Sequence, residues 1–211
     1  MSGEFTVKQP RVIGWSPDAV QEATLIQRCA AGDEQACAEL LSEHQRMVFQ
    51  LSLHLLGDYE EALDLSQEVF LRVFKTLGRF RGHSALRTWI YRIVINQARN
   101  RQRLWKRRRQ ASQVSLDDHV LRHGDLTDRD DRAAPDGALQ KKELASRVWS
   151  ALDRLPFDQR TAVILREIDG LSYDEIAYSL GINIGTVKSR LTRARGALRT
   201  ELSDARELGD I

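Results

Sequence analysis

Apolar residues recur along this chain three and four positions apart and show no convincing alternation, so the pattern predicts helices throughout and no strands. Ser16 and Pro17 open the first, since a Ser side chain caps free N–H groups and Pro suits the first helical position. It ends near Ala31 and Gly32. Asp33 caps a longer helix whose apolar positions include Ala36, Leu40, Val48, Leu51, Leu55 and Leu56, ended by Gly57. Asp58, with Glu61 three residues later, resembles a capping box with Asp in place of Ser or Thr, and opens a third helix carrying Leu63, Val69, Phe70, Val73, Phe74 and Leu77. After a loop, Ser84 caps a fourth helix through Trp89, Ile90, Ile93 and Val94 to about Arg107. Four such stripes can bury one core, so residues 17–109 are predicted to form a bundle-like domain, preceded by a flexible arm at 1–16.

Residues 110–136 break the pattern. They are polar, rich in Asp and without apolar periodicity, and are predicted to be a flexible acidic linker spanning about 85 Å at most when extended and about 28 Å as a coil. Residues 137–205 form the second predicted domain. One helix runs to about Leu155, Pro156 interrupts it, and another carries Ala162, Val163, Leu165 and Ile168 before Gly170. Then Ile176, Ala177 and Leu180 lie on one face of a short helix that Gly181 stops, and Asn183 caps a longer one with Val187, Leu191, Ala194 and Leu198 at helical spacing. A helix, a glycine turn and a basic second helix make a helix-turn-helix. The predicted fold is therefore all-α: two helical domains joined by a flexible acidic linker, the C-terminal one containing the helix-turn-helix.

A net charge of +2 says little, but its distribution says more. No Asp or Glu occurs from Val69 to Leu116, an interval dense in Arg and Lys, whereas seven Asp residues follow within 117–136. A second acid-free interval runs from Ile176 to Thr200. Segregation of this kind points to local anionic partners. In a helix-turn-helix the second helix enters the major groove with its N-terminal residues on base edges, which singles out Thr186, Lys188, Ser189, Arg190, Thr192 and Arg193. In the first domain, aromatics interleave with cations at Phe80, Arg81, Trp89, Tyr91, Arg92, Arg99 and Trp105. Aromatic faces stack unpaired bases at about 1–3 kcal/mol each, so this composition suits an opened strand, and a glycine-containing loop at 79–84 suits one extruded base. The competing reading makes Phe80 and Trp89 core residues.

Other classes are disfavoured. No run of about 18 apolar residues predicts a membrane span, and no basic segment followed by an apolar stretch marks an export signal, so the expected location is cytoplasmic. Cys29 and Cys37 make no disulfide framework and read as small core side chains in a reducing compartment. No carboxylate pair, nucleophile triad or phosphate loop has convincing context, and His119 and His123 sit in the linker without further ligands. No enzyme activity, metal or cofactor is expected.

Three stretches carry a family likeness: DYEEALDLSQEVFLRVF at 58–74, FRGHSALRTWIYRIVIN at 80–96, and residues 155–195. In this order, separated by an acidic linker, they resemble the bacterial extracytoplasmic-function sigma factors, the smallest class of sigma subunits of RNA polymerase. The resemblance implies that Asp64, Leu65, Gln67 and Glu68 dock on the clamp helices of the largest subunit of core RNA polymerase, with the beta flap as a further contact. It implies that the loop Phe80, Arg81, Gly82, His83, Ser84, Ala85 through Thr88 and Trp89 captures a flipped base of the downstream (−10) promoter element. Arg72, Asn96 and Asn100 would line the melted strand, although Asn96 also reads as an amide satisfied inside the bundle. Arg166 and the recognition-helix residues would contact the upstream (−35) duplex. The resemblance further implies an inhibitory anti-sigma protein as partner, and a linker that threads toward the active centre. At His83 many relatives have an acid. A stand-alone helix-turn-helix regulator is the alternative, distinguished by failure to associate with core polymerase.

Overall fold

The computed structural model describes residues 17–111 and 135–207, and every regular element among them is helical. The first half holds α1 (Pro17–Ala30), α2 (Glu34–Leu56), α3 (Tyr59–Thr76), a 3₁₀ turn (Leu77–Arg79) and α4 (Leu86–Ala111). The second holds α5 (Pro135–Arg154), α6 (Phe157–Val163), a π-helical turn (Ile164–Ile168), α7 (Tyr173–Leu180) and α8 (Ile184–Glu207). The arm at 1–16 and residues 112–134 of the predicted linker lie outside the described residues. The flanking helices reach two residues into the predicted linker at each end.

The helix ends follow the local chemistry of the sequence. Asp33 Oδ1 accepts the Ala36 N–H at 3.1 Å and Asp58 Oδ1 accepts that of Glu61 at 2.9 Å, satisfying donors a helix cannot pair internally. Gly57 closes α2 at φ 72°, where its N–H reaches the Leu53 carbonyl at 2.8 Å; a side chain there would strain. Ser172 and Glu175 form a full capping box on α7.

Two local expectations fail. Ser84 does not cap α4: its hydroxyl donates to the Ala85 carbonyl at 3.2 Å. The helix starts at Leu86, whose N–H is accepted by the Glu22 carboxylate of α1. A sequence scan searches the preceding residues for a cap and cannot find one on another helix. Cys29 and Cys37 are also not two free core thiols. The turn at Gly32 and Asp33 folds α1 back on α2, sets their Cα atoms 4.8 Å apart and places the sulfurs in a disulfide.

Helix α2 packs against α1, α3 and α4, and its inward stripe Leu40, Val48, Leu51 and Leu55 is almost wholly buried. The core does not stop there. It continues through α4 (Ile90, Tyr91, Val94, Ile95) into α6, α7 and α8, where Ile164, Leu165, Ile176, Val187 and Leu191 are buried. The two halves thus touch, with α4 packed against α7 and α2 against α6. His54 stacks on Trp149 at 4.5 Å across the junction.

Arg160 ties that junction. Only 6 % exposed, it extends one arm of its fork to Asp153 at 2.6 Å and the other to the Leu55 carbonyl at 2.9 Å, one of the unpaired acceptors ending α2. A planar guanidinium spans two acceptors in fixed geometry as an ammonium cannot. Arg160→Ala is therefore expected to lower stability by about 2–4 kcal/mol, and Arg160→Lys to recover less than half of it. Urea unfolding followed by far-UV circular dichroism checks both; a loss under about 0.5 kcal/mol would show that the fork holds nothing.

Candidate nucleic-acid interface

Helices α3 and α4 lie side by side, and residues three and four apart on each line the groove between them. Its volume is about 590 Å³, and its walls bring together Arg72, Arg79, Trp89, Arg92, Asn96 and Asn100. Arg72, Trp89, Asn96 and Asn100, far apart in sequence, are thus placed on one surface. Asn96 and Asn100 are both exposed, so the alternative of an Asn96 amide paired inside the bundle fails. The amides offer donors and acceptors, and the arginines offer charge to phosphate.

The loop 80–85 sits at one end of this groove. Arg81, Gly82, His83 and Ala85 are exposed, Ser84 partly so, and Gly82 takes φ 68°. Phe80 and Trp89 both back onto the core with ring centroids 5.3 Å apart. Each is partly buried: both pack against the core, as the core reading has it, and Trp89 also lines the groove. Thr88 departs from expectation. It is 3 % exposed, its carbonyl accepts the Ser179 hydroxyl at 3.3 Å, and its own hydroxyl donates to Glu175. It belongs to the junction and meets no ligand in this arrangement.

The second surface is α8. Asn183 Oδ1 accepts both the N–H and the hydroxyl of Thr186, at 2.8 and 2.9 Å, so Thr186 completes the cap. Beyond it Lys188, Ser189, Thr192 and Arg193 are exposed, while Val187, Leu191 and Ala194 bury the opposite stripe. Arg190 is different. It turns toward the first half and donates to Asp158 Oδ2 at 2.8 Å, while Asp158 Oδ1 accepts from Arg99 of α4 at 3.2 Å. One carboxylate holds two cations, one from each half. Arg166 donates to the Leu171 carbonyl at 2.8 Å and lies over the Tyr173 ring, bracing the turn into α7.

On the outer side of α3, Asp64, Gln67 and Glu68 are exposed, with Glu68 paired to Arg101 at 2.7 Å. Leu65 is fully buried in the core and cannot offer its side chain to a partner; it holds the helix in place. The face has a feature the sequence reading passed over. An apolar groove of about 720 Å³ runs between α2 and α3, lined by Leu41, Phe49, Leu63, Phe70, Leu71 and Phe74. Leu71 is 70 % exposed there. A lone exposed leucine is ordinary in a sequence; what marks this surface is the contiguous apolar patch that α2 and α3 form together, which only their packing creates.

Asp169, at the start of the turn that leads into α7, is partly buried. Burial pushes the Asp169 carboxyl up to about 6 despite the opposing charge of Arg87, and its Oδ2 has no hydrogen-bond partner. Burial likewise raises the Tyr91 phenol to about 12, although it accepts from Arg87 at 3.1 Å. Because the folded value for Asp169 exceeds the unfolded one, the native state binds more protons between about pH 4 and 6, and this group's contribution to stability falls as pH rises through that window. Asp169→Asn removes the penalty. The variant should be about 1–3 kcal/mol more stable than the parent at pH 7 and equal to it below pH 4. Paired melts across that range test this, and a pH-independent difference would exclude a buried charge as its cause.

Models for sigma-70 region 2 and sigma-70 region 4 match residues 40–110 and 145–198. Over 178 residues the chain is 38 % identical to the RNA polymerase sigma-H factor of Pseudomonas aeruginosa, covering 84 % of this chain and 92 % of the relative. It is 34 % identical over 184 residues to the ECF RNA polymerase sigma-E factor of Escherichia coli, covering 86 % and 94 %. Among solved structures, sigma factor RpoE of Bartonella quintana, in complex with the anti-sigma factor NepR, superposes with a TM-score of 0.61 at 26 % identity, over 79 % of this chain and 96 % of that one. CnrH bound to the cytosolic domain of CnrY shares the fold, with a TM-score of 0.63 at 24 % identity over 87 % and 97 %.

Proposed function

The chain belongs to the extracytoplasmic-function sigma factors of bacterial RNA polymerase, and from that premise we propose how its surfaces divide the work of promoter-specific initiation. The exposed face of α8, with Lys188, Ser189, Thr192 and Arg193, reads the upstream element as duplex. The α3–α4 groove takes one strand of the downstream element after melting, and the loop 80–85 receives an extruded base. The observation that carries this reading is the convergence of Arg72, Trp89, Asn96 and Asn100 on one open groove. Such a surface suits separated strands, because duplex DNA hides base faces. A stand-alone regulator leaves this groove without a use.

The apolar groove between α2 and α3 supplies the seat on core polymerase, with Asp64, Gln67 and Glu68 as its polar rim. Apolar area at the centre and charge at the edge is the distribution expected of a stable protein interface. An anti-sigma factor, the partner of the Bartonella relative, is proposed as the inhibitory partner here as well. Arg190 joins the duplex contacts only when Asp158 releases it. Both partners of that pair are partly exposed, so parting it costs little, on the order of 1 kcal/mol. Strand separation draws on binding energy captured by the opened strand, and no covalent step is involved.

Reconstituted holoenzyme on a cognate promoter should make thymines of the downstream element reactive to permanganate. Absence of reactivity with full occupancy of the duplex would sink the melting role. Arg193→Ala should weaken upstream recognition by about 1–3 kcal/mol in footprint titrations without altering the melt of the free chain. Leu71→Glu should reduce assembly with core by about tenfold or more, measured by co-elution with the purified enzyme. Normal assembly of that variant would move the docking surface elsewhere.

A further inference from the structure

The Cys29–Cys37 pair has no part in the function proposed above, and its position gives it one. It closes the corner between α1 and α2, with Cα atoms 4.8 Å apart, inside the range a disulfide spans. Cys29 is 6 % exposed, whereas Cys37, on the second turn of α2, is partly open to solvent. Beside it the Arg28–Asp33 pair is solvent-exposed and adds little.

Helix α1 is the element this bond holds, and α1 supports the promoter-facing loop from both ends. It packs on the 3₁₀ turn Leu77–Arg79, from which the loop departs. Its Glu22 carboxylate accepts the N–H of Leu86, where the loop rejoins α4. That acceptor also places negative charge at the start of a 26-residue helix that has no acid in its own first turn. Between these supports lie Gly82 at positive φ and the exposed residues Arg81, His83 and Ala85. The geometry of the loop therefore depends on how firmly α1 is seated.

We propose that Cys29 and Cys37 form a thiol–disulfide control point, and that reducing the pair loosens α1 and with it the loop 80–85. Oxidation removes two electrons and two protons from the thiols and passes them to a peroxide or a disulfide oxidant. In the reverse direction a donor thiolate attacks the accessible Cys37 sulfur, the S–S bond breaks, and Cys29 leaves as thiolate. The donor's second thiol then releases Cys37 and leaves as the donor disulfide. Redox sensing of this kind gives a cytosolic protein a use for a disulfide, where a static structural one is rare. The effect on promoter opening rests on the reading of the loop given above; the coupling of the cysteines to the loop does not.

Hydrogen exchange on the full chain separates these two claims. Three forms are compared: oxidised with diamide, reduced with dithiothreitol, and the C29S/C37S variant, with maleimide labelling to count free thiols. Exchange in a peptide spanning 77–86 should rise about three- to tenfold in the reduced and variant forms, while the α8 peptide 184–199 stays unchanged. Because the reduced wild type needs no substitution, misfolding of the variant does not cloud the result. Equal exchange at 77–86 in all three forms, or thiols that diamide fails to join, overturns the proposal. Holoenzyme from the oxidised form should give the stronger permanganate signal. Altered exchange with an unaltered signal supports the coupling and instead removes the loop from base capture.

Discussion

One helix has to serve three partners at once, and the architecture follows from that demand. The buried stripe of α4 completes the core formed by α2 and α3, a second surface carries the arginines and amides of the groove, and a third seats α7 of the other half. With about 3.6 residues per turn, a helix can divide its surroundings into such sectors only if each side chain keeps to its own. Tyr91 and Ile95 are wholly buried, Asn96 and Asn100 face outward, and Thr88 falls in the junction. This is why a run that reads as one basic helix contains residues with quite different fates.

The junction between the halves is held by few polar contacts of unequal strength. Arg160 is buried, forked between Asp153 and a helix-ending carbonyl, and its removal would take the donor from the buried Leu55 carbonyl. Asp158, by contrast, is partly exposed and shares itself between Arg99 and Arg190. Solvent weakens such pairs to about 1 kcal/mol or less. A closed arrangement of this kind is firm at one point and readily exchanged at the other. The exchangeable point involves an arginine on the recognition helix, where the phosphates of DNA offer an alternative anion.

The groove on α2 and α3 and the groove on α3 and α4 use different faces of α3. The first is apolar and exposes Leu71; the second is cationic and exposes Arg72. Adjacent residues on a helix point about 100° apart, so a single turn of α3 presents an apolar surface and a cationic surface in different directions. Under the division of work proposed above, core polymerase and the opened strand would each have a face of α3 to themselves.

Much of this was written in the residues themselves. Apolar spacing located the helices, Asp33, Asp58 and Asn183 marked the starts of three of them, and glycines such as Gly57 and Gly181 their ends, because these signals act within four residues along the chain. Charge segregation and the likeness at 58–96 and 155–195 led to the family for the same reason: they are properties of order and composition. What the chain alone did not decide depends on which distant residues meet. Glu22 in place of Ser84 as the cap of α4, the union of Cys29 with Cys37, the burial of Leu65, the apolar groove beside Leu71 and the capture of Arg190 by Asp158 all arise where helices cross. Periodicity assigns a residue to a face of its own helix, but only packing determines what stands opposite that face, and there the energies of burial and pairing are settled.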